Sequence, residues 1–172
     1  MVKEFAAGGE EAAHLIGVIS DTHGLLRPEA VEALRGVELI VHAGDIGKPE
    51  VVEQLQELAP VVAVRGNVDN GAWAEPFPFV QRVKIGEVSV LMIHNLKELP
   101  LRAPGESGRV IVYGHSHKAV NGDKDGALYL NPGSAGKRRF GLPVTVALLK
   151  IEGGKVAAEI VFIASEATKP SR

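Results

Sequence analysis

Ile16-Gly17-Val18-Ile19-Ser20-Asp21-Thr22-His23-Gly24 is an apolar run that breaks off into an acid, a hydroxyl and an imidazole. The run reads as a buried strand, and its tip carries Asp-x-His. Carboxylate and imidazole two residues apart can face one point if the backbone leaves the strand between them, and Gly24 lets it leave. Oxygen and imidazole nitrogen together are a transition-metal donor set. The alternative reading, a strand-end Asp that caps a helix or braces a loop, weakens as further patterns accumulate. Gly44-Asp45, Gly66-Asn67-Val68-Asp69, His94-Asn95 and Gly114-His115-Ser116-His117 each place acids, amides or imidazoles where an apolar run ends.

Working outward, residues 1–13 are polar, small and non-periodic, so they read as a loose arm, and His14 beside them as a solvated side chain. Pro28 suits the first turn of a helix over about 29–34, with Gly36 as its stop. Strand 37–41 follows, ending in His42-Ala43-Gly44-Asp45. Pro49 opens a second helix with Val51, Val52, Leu55 and Leu58 at helical spacing, and Pro60 ends it. Strand 61–64 then delivers Arg65-Gly66-Asn67-Val68-Asp69. This β-α-β-α-β pattern predicts a parallel sheet, whose functional groups belong at the C-terminal ends of its strands.

The second half changes character. Segments 79–85 and 88–94 read as a hairpin around Gly86-Glu87. A turn of helix over 96–102 is limited by Pro100, Pro104, Gly105 and Gly108. Strand 110–113 delivers the two later histidines, and strands near 119–122, 127–131, 144–151 and 156–163 follow. That is too many strands for one sheet, which predicts two packed mixed sheets with helices outside. Residues after Ala164 read as a frayed tail.

At 172 residues the chain suits a single domain with a proper core. A net charge of -2 gives no general attraction to nucleic acid or an anionic membrane, so any phosphate must be held locally. There is no cysteine, which excludes disulfides and thiolate metal sites and accords with a cytoplasmic protein. The first residues lack the basic start and apolar core of a signal peptide, and no run is long enough to span a membrane.

Taken in order, Asp-x-His, Gly-Asp, Gly-Asn-x-Asp, His and Gly-His-x-His resemble the calcineurin-like metallophosphoesterase superfamily. The strings Ile19-Ser20-Asp21-Thr22-His23-Gly24, Tyr113-Gly114-His115-Ser116-His117 and Asn131-Pro132-Gly133-Ser134 are similar to its small single-domain bacterial and archaeal phosphodiesterases. The resemblance covers about 15–163 and implies an α/β fold, a four-layer α/β/β/α sandwich of two mixed sheets flanked by helices. It implies that Asp21, His23 and His117 hold one divalent transition-metal ion, that Asn67, His94 and His115 hold a second, and that Asp45 bridges them. Manganese is the first choice of metal, with iron, zinc or nickel as alternatives. Two such ions, about 3.5–4 Å apart, acidify a bridging water and offset charge on the attacking and leaving oxygens of a small phosphodiester, with hydroxide as the nucleophile.

Within that resemblance Asp45, Asn67, Asp69 and His94 are the catalytic candidates. Many superfamily members carry a histidine directly after Gly-Asn to protonate the leaving group. Here Val68 stands in that place, with Asp69 one further on as either a substitute acid or a brace. His42 reads as a hydrogen-bonding support, Trp73 and Phe77 as lid or core residues, and Asn131–Ser134 as either a plain turn or a support of the pocket. Lys137-Arg138-Arg139 reads as a solvated loop or a phosphate contact. Two other functions compete: a non-catalytic scaffold subunit of the same fold, with a degraded metal site, and a nuclease, which the weak charge disfavours.

Overall fold

The computed structural model describes residues 2–5, 12–99 and 109–164. Strand β1 spans Val2–Phe5. Next come β2 (His14–Ile19), α1 (Pro28–Ala33), β3 (Leu39–His42), α2 (Pro49–Gln56) and β4 (Val61–Ala63). Strands β2, β3 and β4 are parallel neighbours, as the alternation of apolar runs and helices predicts. Each helix opens on a proline preceded by an extended residue, Arg27 or Lys48, because the ring supplies helical φ and needs no hydrogen-bond partner there.

The chain then crosses to a second sheet, with β5 (Val80–Ile85) and β6 (Val88–Ile93) as an antiparallel hairpin. Strands β7 (Val110–Val112), β8 (Val120–Lys124) and β9 (Ala127–Asn131) extend it. The chain then returns to the first sheet through β10 (Val144–Glu152) and β11 (Lys155–Ala164). The sheet orders are β11-β10-β2-β3-β4 and β1-β5-β6-β7-β9-β8. Strands β6, β7 and β9 are parallel to their neighbours in that set. Each sheet therefore contains a parallel trio whose C-terminal ends share one edge.

Alternation along the strands decides which face each side chain covers. Ile16, Val18, Leu39 and Val41 point between the sheets, where they meet Val83, Val90, Met92, Val110 and Val112. Ile40 points the other way, onto Leu34, Val51 and Leu55 of the helical side. On the far face of the second sheet, Leu91 and Ile111 pack with Leu96 and Leu99 around the 3-10 turn Leu96–Glu98.

Two expectations fail. The segment 2–5, expected as part of a loose arm, forms the edge strand β1, paired in parallel with β5 from Val2 opposite Arg82 to Phe5 opposite Ile85. Backbone pairing to a distant strand needs no local periodicity, so composition does not reveal it. His14, expected to be solvated, is 3% exposed, with Nδ1 3.0 Å from the Glu38 carboxylate. The remainder of the arm at 6–11, the helical turn expected beyond Leu99 with its Pro and Gly limits, and the tail at 165–172 lie outside the described residues.

Candidate metal centre

Each parallel strand ends where its backbone must turn, and the polar side chains sit at those turns. Asp21, His23, Asp45, His115 and His117 all have positive φ, between 47° and 71°. L-residues avoid this region at a cost of about 1–2 kcal/mol each, so five of them at one edge is strain held in place by the surrounding packing. The loops are stitched together by backbone hydrogen bonds. Asp21 N–H donates to Gly44 O at 3.0 Å, His23 N–H to Asp45 O at 2.9 Å, and Gly114 N–H to His94 O at 2.9 Å.

The result is two groups of facing donor atoms. Asp21, His23 and His117 offer ligand atoms within 4.8 Å of one another, and so do Asp21, Asp45 and His94. Asp21 belongs to both. Its Oδ1 lies 3.3 Å from His117 Nε2, 3.8 Å from His23 Nε2 and 4.0 Å from His94 Nε2. Asp45 Oδ2 lies 3.2 Å from His94 Nε2 and 3.7 Å from His23 Nε2. Either carboxylate can thus reach both halves, whereas the sequence reading singled out Asp45 as the bridge. Asn67 and His115 are exposed at the rim. The His115 ring meets His94 edge-on at 5.3 Å, and Asn67 shares a cavity wall with His94.

Surrounding groups aim these atoms. Asp21 Oδ2 accepts from Ser20 Oγ at 2.7 Å and from His115 N–H at 3.2 Å, and Asp45 Oδ1 accepts from Val68 N–H at 3.1 Å. One oxygen of each carboxylate is therefore pinned, and the other faces the imidazoles. His94 Nδ1 donates to Ala43 O at 2.7 Å, which leaves Nε2 as the lone-pair nitrogen on the site side. Asp21 Oδ1 and His94 Nε2 are buried without a hydrogen-bond partner. Buried polar atoms without partners are costly, and oxygen facing imidazole nitrogen is the donor chemistry of a divalent transition metal. The residues fit such ions.

Electrostatics follow the same geometry. Burial works against the Asp45 carboxylate, but the facing His94, the Val68 N–H and His23 outweigh it and hold the group at about 2. Burial also opposes charge on His94, yet the Asp45 and Asp21 carboxylates and the Ala43 carbonyl raise it above its ordinary value. His23 is lowered, first by burial and further by the Arg139 charge and His117, against the pull of Asp45 and Asp21.

His42 supports rather than faces the site. Gly44 N–H donates to its Nδ1 at 3.1 Å, so its Nε2 carries the proton and donates to Thr22 Oγ1 at 3.0 Å, which in turn donates to Ile46 O at 2.9 Å. Complete burial drives its pKa down to about 4, although Asp69, Asp21 and Asp45 pull it up. An unfolded histidine near 6.5 binds the proton more readily, so this stability is complete above 6.5 and is lost as pH falls towards 4. The loss amounts to about 3 kcal/mol. Urea unfolding of the metal-free protein should show the stability gap between wild type and His42→Gln shrinking by about that much from pH 7 to pH 4. Taking the difference cancels the other titrating histidines, and a constant gap would refute the assignment.

Asp69 is 2% exposed and fully engaged. Its Oδ2 accepts from Ile46 N–H at 3.1 Å and Gly66 N–H at 2.8 Å, and its Oδ1 from Gly47 N–H at 2.8 Å. Three donors aimed at two oxygens tie the β3 loop to the β4 loop and leave no outward direction for a proton donor. Asp69→Asn must turn its NH₂ towards at least one of these N–H groups and should lower stability by about 2–3 kcal/mol. It should reduce turnover by the same factor for good and poor leaving groups. A defect that shrinks sharply with nitrophenolate would restore the acid role.

Asn131–Ser134 is also a brace. Asn131 Nδ2 donates to Gly114 O at 3.0 Å and to Ser116 Oγ at 3.2 Å, steadying the His115–His117 turn, while Ser134 Oγ donates to Asp21 O at 3.0 Å. Lys137, Arg138 and Arg139 are exposed, as expected of a solvated loop. Phe140 beside them is 79% exposed, and its ring meets His117 at 5.6 Å. Trp73 and Phe77 contact each other and pack on the helical-side core. The sequence reading missed Ser20 and Phe140, since a serine after a strand and a phenylalanine in a loop carry no distinguishing signal.

Residues 15–154 match the model of the calcineurin-like phosphoesterase superfamily domain. The chain belongs to that superfamily. A protein of Methanothermobacter thermautotrophicus named a probable metallophosphoesterase is 38% identical over 162 residues, covering 86% of this chain and 91% of its own. A solved archaeal phosphodiesterase superposes with a TM-score of 0.71 at 25% identity, covering 86% of this chain and 99% of its own. Vacuolar protein sorting 29 of Cryptosporidium parvum has the same fold, with a TM-score of 0.70 at 24% identity, covering 89% of this chain and 99% of its own. The fold is thus the two-sheet α/β architecture of calcineurin-like phosphoesterases. No helix among the described residues is long and apolar enough to cross a membrane.

Proposed function

We propose that this superfamily member hydrolyses small phosphodiesters with two divalent transition-metal ions, manganese first among them, held between the strand tips. The observation that carries the reading is the pair of free carboxylate oxygens, Asp21 Oδ1 and Asp45 Oδ2, set among the Nε2 atoms of His23, His94 and His117. Asp21, His23 and His117 would hold one ion and His94, with the rim residues Asn67 and His115, the other, with Asp45 shared. When bound, such ions acidify water and offset the charge that develops on a phosphate undergoing in-line displacement.

The chain's own contribution is positioning. Ser20, the His115 N–H, the Val68 N–H and the Ala43 carbonyl fix the donor atoms before substrate arrives, so little reorganisation accompanies reaction. Val68 follows Asn67 and Asp69 is occupied by three N–H groups, so neither position offers a proton to the departing alcohol. Diesters with acidic leaving alcohols suit such a site, because a good leaving group needs no proton. In a manganese-supplied assay, kcat/KM for bis-nitrophenyl phosphate should exceed that for nitrophenyl phosphate by about ten-fold or more. A preference for the monoester would overturn the diesterase reading and leave the metal centre standing. Absence of turnover with both ions bound would instead favour the scaffold role.

A further inference from the structure

Beside the metal centre, a cavity of about 140 Å³ is walled by Arg65, Asn67, Phe79, Val80, His94 and Glu98. Two of these residues are candidate ligands, so the cavity is continuous with the place a phosphate would occupy. The others have no part in metal binding. Phe79 is 60% exposed and Val80 43% exposed, side by side at the start of β5. The Arg65 guanidinium sits 4.1 Å from the centroid of the Phe79 ring, and Arg65 N–H donates to Pro78 O at 3.1 Å, which fixes the two segments against each other. Arg65 Nε is buried and makes no hydrogen bond.

Resting on the phosphodiester reading, we propose that this cavity is a subsite for an aromatic ester group of the substrate. The space is close to that of cavities of about 150 Å³ known to hold benzene. An aromatic group there meets the apolar surface of Phe79 and Val80 and a guanidinium already stacked on an aromatic ring, a combination that rewards a planar π-system over an alkyl chain. The charges of Arg65 and Glu98 on the same wall disfavour a lipid chain. A small apolar pocket joined to a few convergent polar groups is the usual form of a specificity site.

Methyl(phenyl)phosphinate and dimethylphosphinate test the assignment, since they carry the single negative charge of a diester and their P–C bonds resist hydrolysis, so that binding can be read apart from turnover. Calorimetric titration of the manganese-loaded protein should show methyl(phenyl)phosphinate bound about ten-fold more tightly than dimethylphosphinate. Phe79→Ala should reduce that ratio to below about three-fold, and Phe79→Tyr should retain it. Equal affinities in wild type, or a ratio unchanged in Phe79→Ala, would overturn the subsite while leaving the phosphate site intact. Failure of both phosphinates to bind manganese-loaded protein would overturn the phosphodiesterase reading, and the subsite with it.

Discussion

Asp45→Asn is expected to lower kcat/KM for a phosphodiester by about 10³-fold, equivalent to about 4 kcal/mol of lost transition-state stabilisation. The side chain keeps its shape, and its amide oxygen can still accept from Val68 N–H at the position of Oδ1. The NH₂ then stands where Oδ2 lies, 3.2 Å from His94 Nε2 and 3.7 Å from His23 Nε2. A donor replaces an acceptor, so the amide can bond to the very imidazole lone pairs a metal needs, and a negative charge is lost. Without metal the variant should melt lower than wild type at neutral pH, because the low pKa of Asp45 marks a carboxylate that folding stabilises. Addition of manganese should raise the melting temperature of wild type and have a much smaller effect on the variant. Wild-type turnover in Asp45→Asn would contradict the role given to this carboxylate.

Gly66→Ala is expected to disrupt the centre almost as strongly without changing any candidate ligand. A methyl at this position would collide with the Asp45 carboxylate and the Asp45 backbone nitrogen, which are part of a tightly tied loop rather than the free end of a flexible chain. The Gly66 N–H also donates to Asp69 Oδ2 at 2.8 Å, so the β4 loop cannot retreat without breaking that bond. Overpacking of this kind costs about 1–3 kcal/mol, and a displacement near 1 Å at a reacting centre costs about 10²-fold in rate. The expected result is a destabilised variant with weakened manganese binding, read by calorimetry, and kcat/KM reduced by about 10²-fold. Unchanged manganese affinity would show that the β4 loop is free to move and that the close approach of Gly66 to Asp45 is not required.

Sequence and structure divide along the line between local and non-local interactions. Strand and helix periodicity, the prolines that open α1 and α2, and the placement of polar residues at the end of each apolar run are properties of neighbouring residues. They suffice to predict two mixed sheets and to put Asp21, His23 and Asp45 at one edge of the first and His94 and His117 at one edge of the second, because parallel strands of a sheet end on the same side. The meeting of the two edges is decided by how the sheets pack. Other features depend on residues far apart in the chain. The pairing of β1 with β5, the burial of His14 against Glu38, the reach of Asp21 into both donor groups and the contact of Arg65 with Phe79 all arise when separate segments meet. The role of Asp69 shows the difference most directly. Its place two residues after Asn67 allowed either a proton donor or a brace, and only the folded chain brings the N–H groups of Ile46, Gly47 and Gly66 onto its two oxygens. A side chain's chemistry is written in its type, but its hydrogen-bond partners are set by packing.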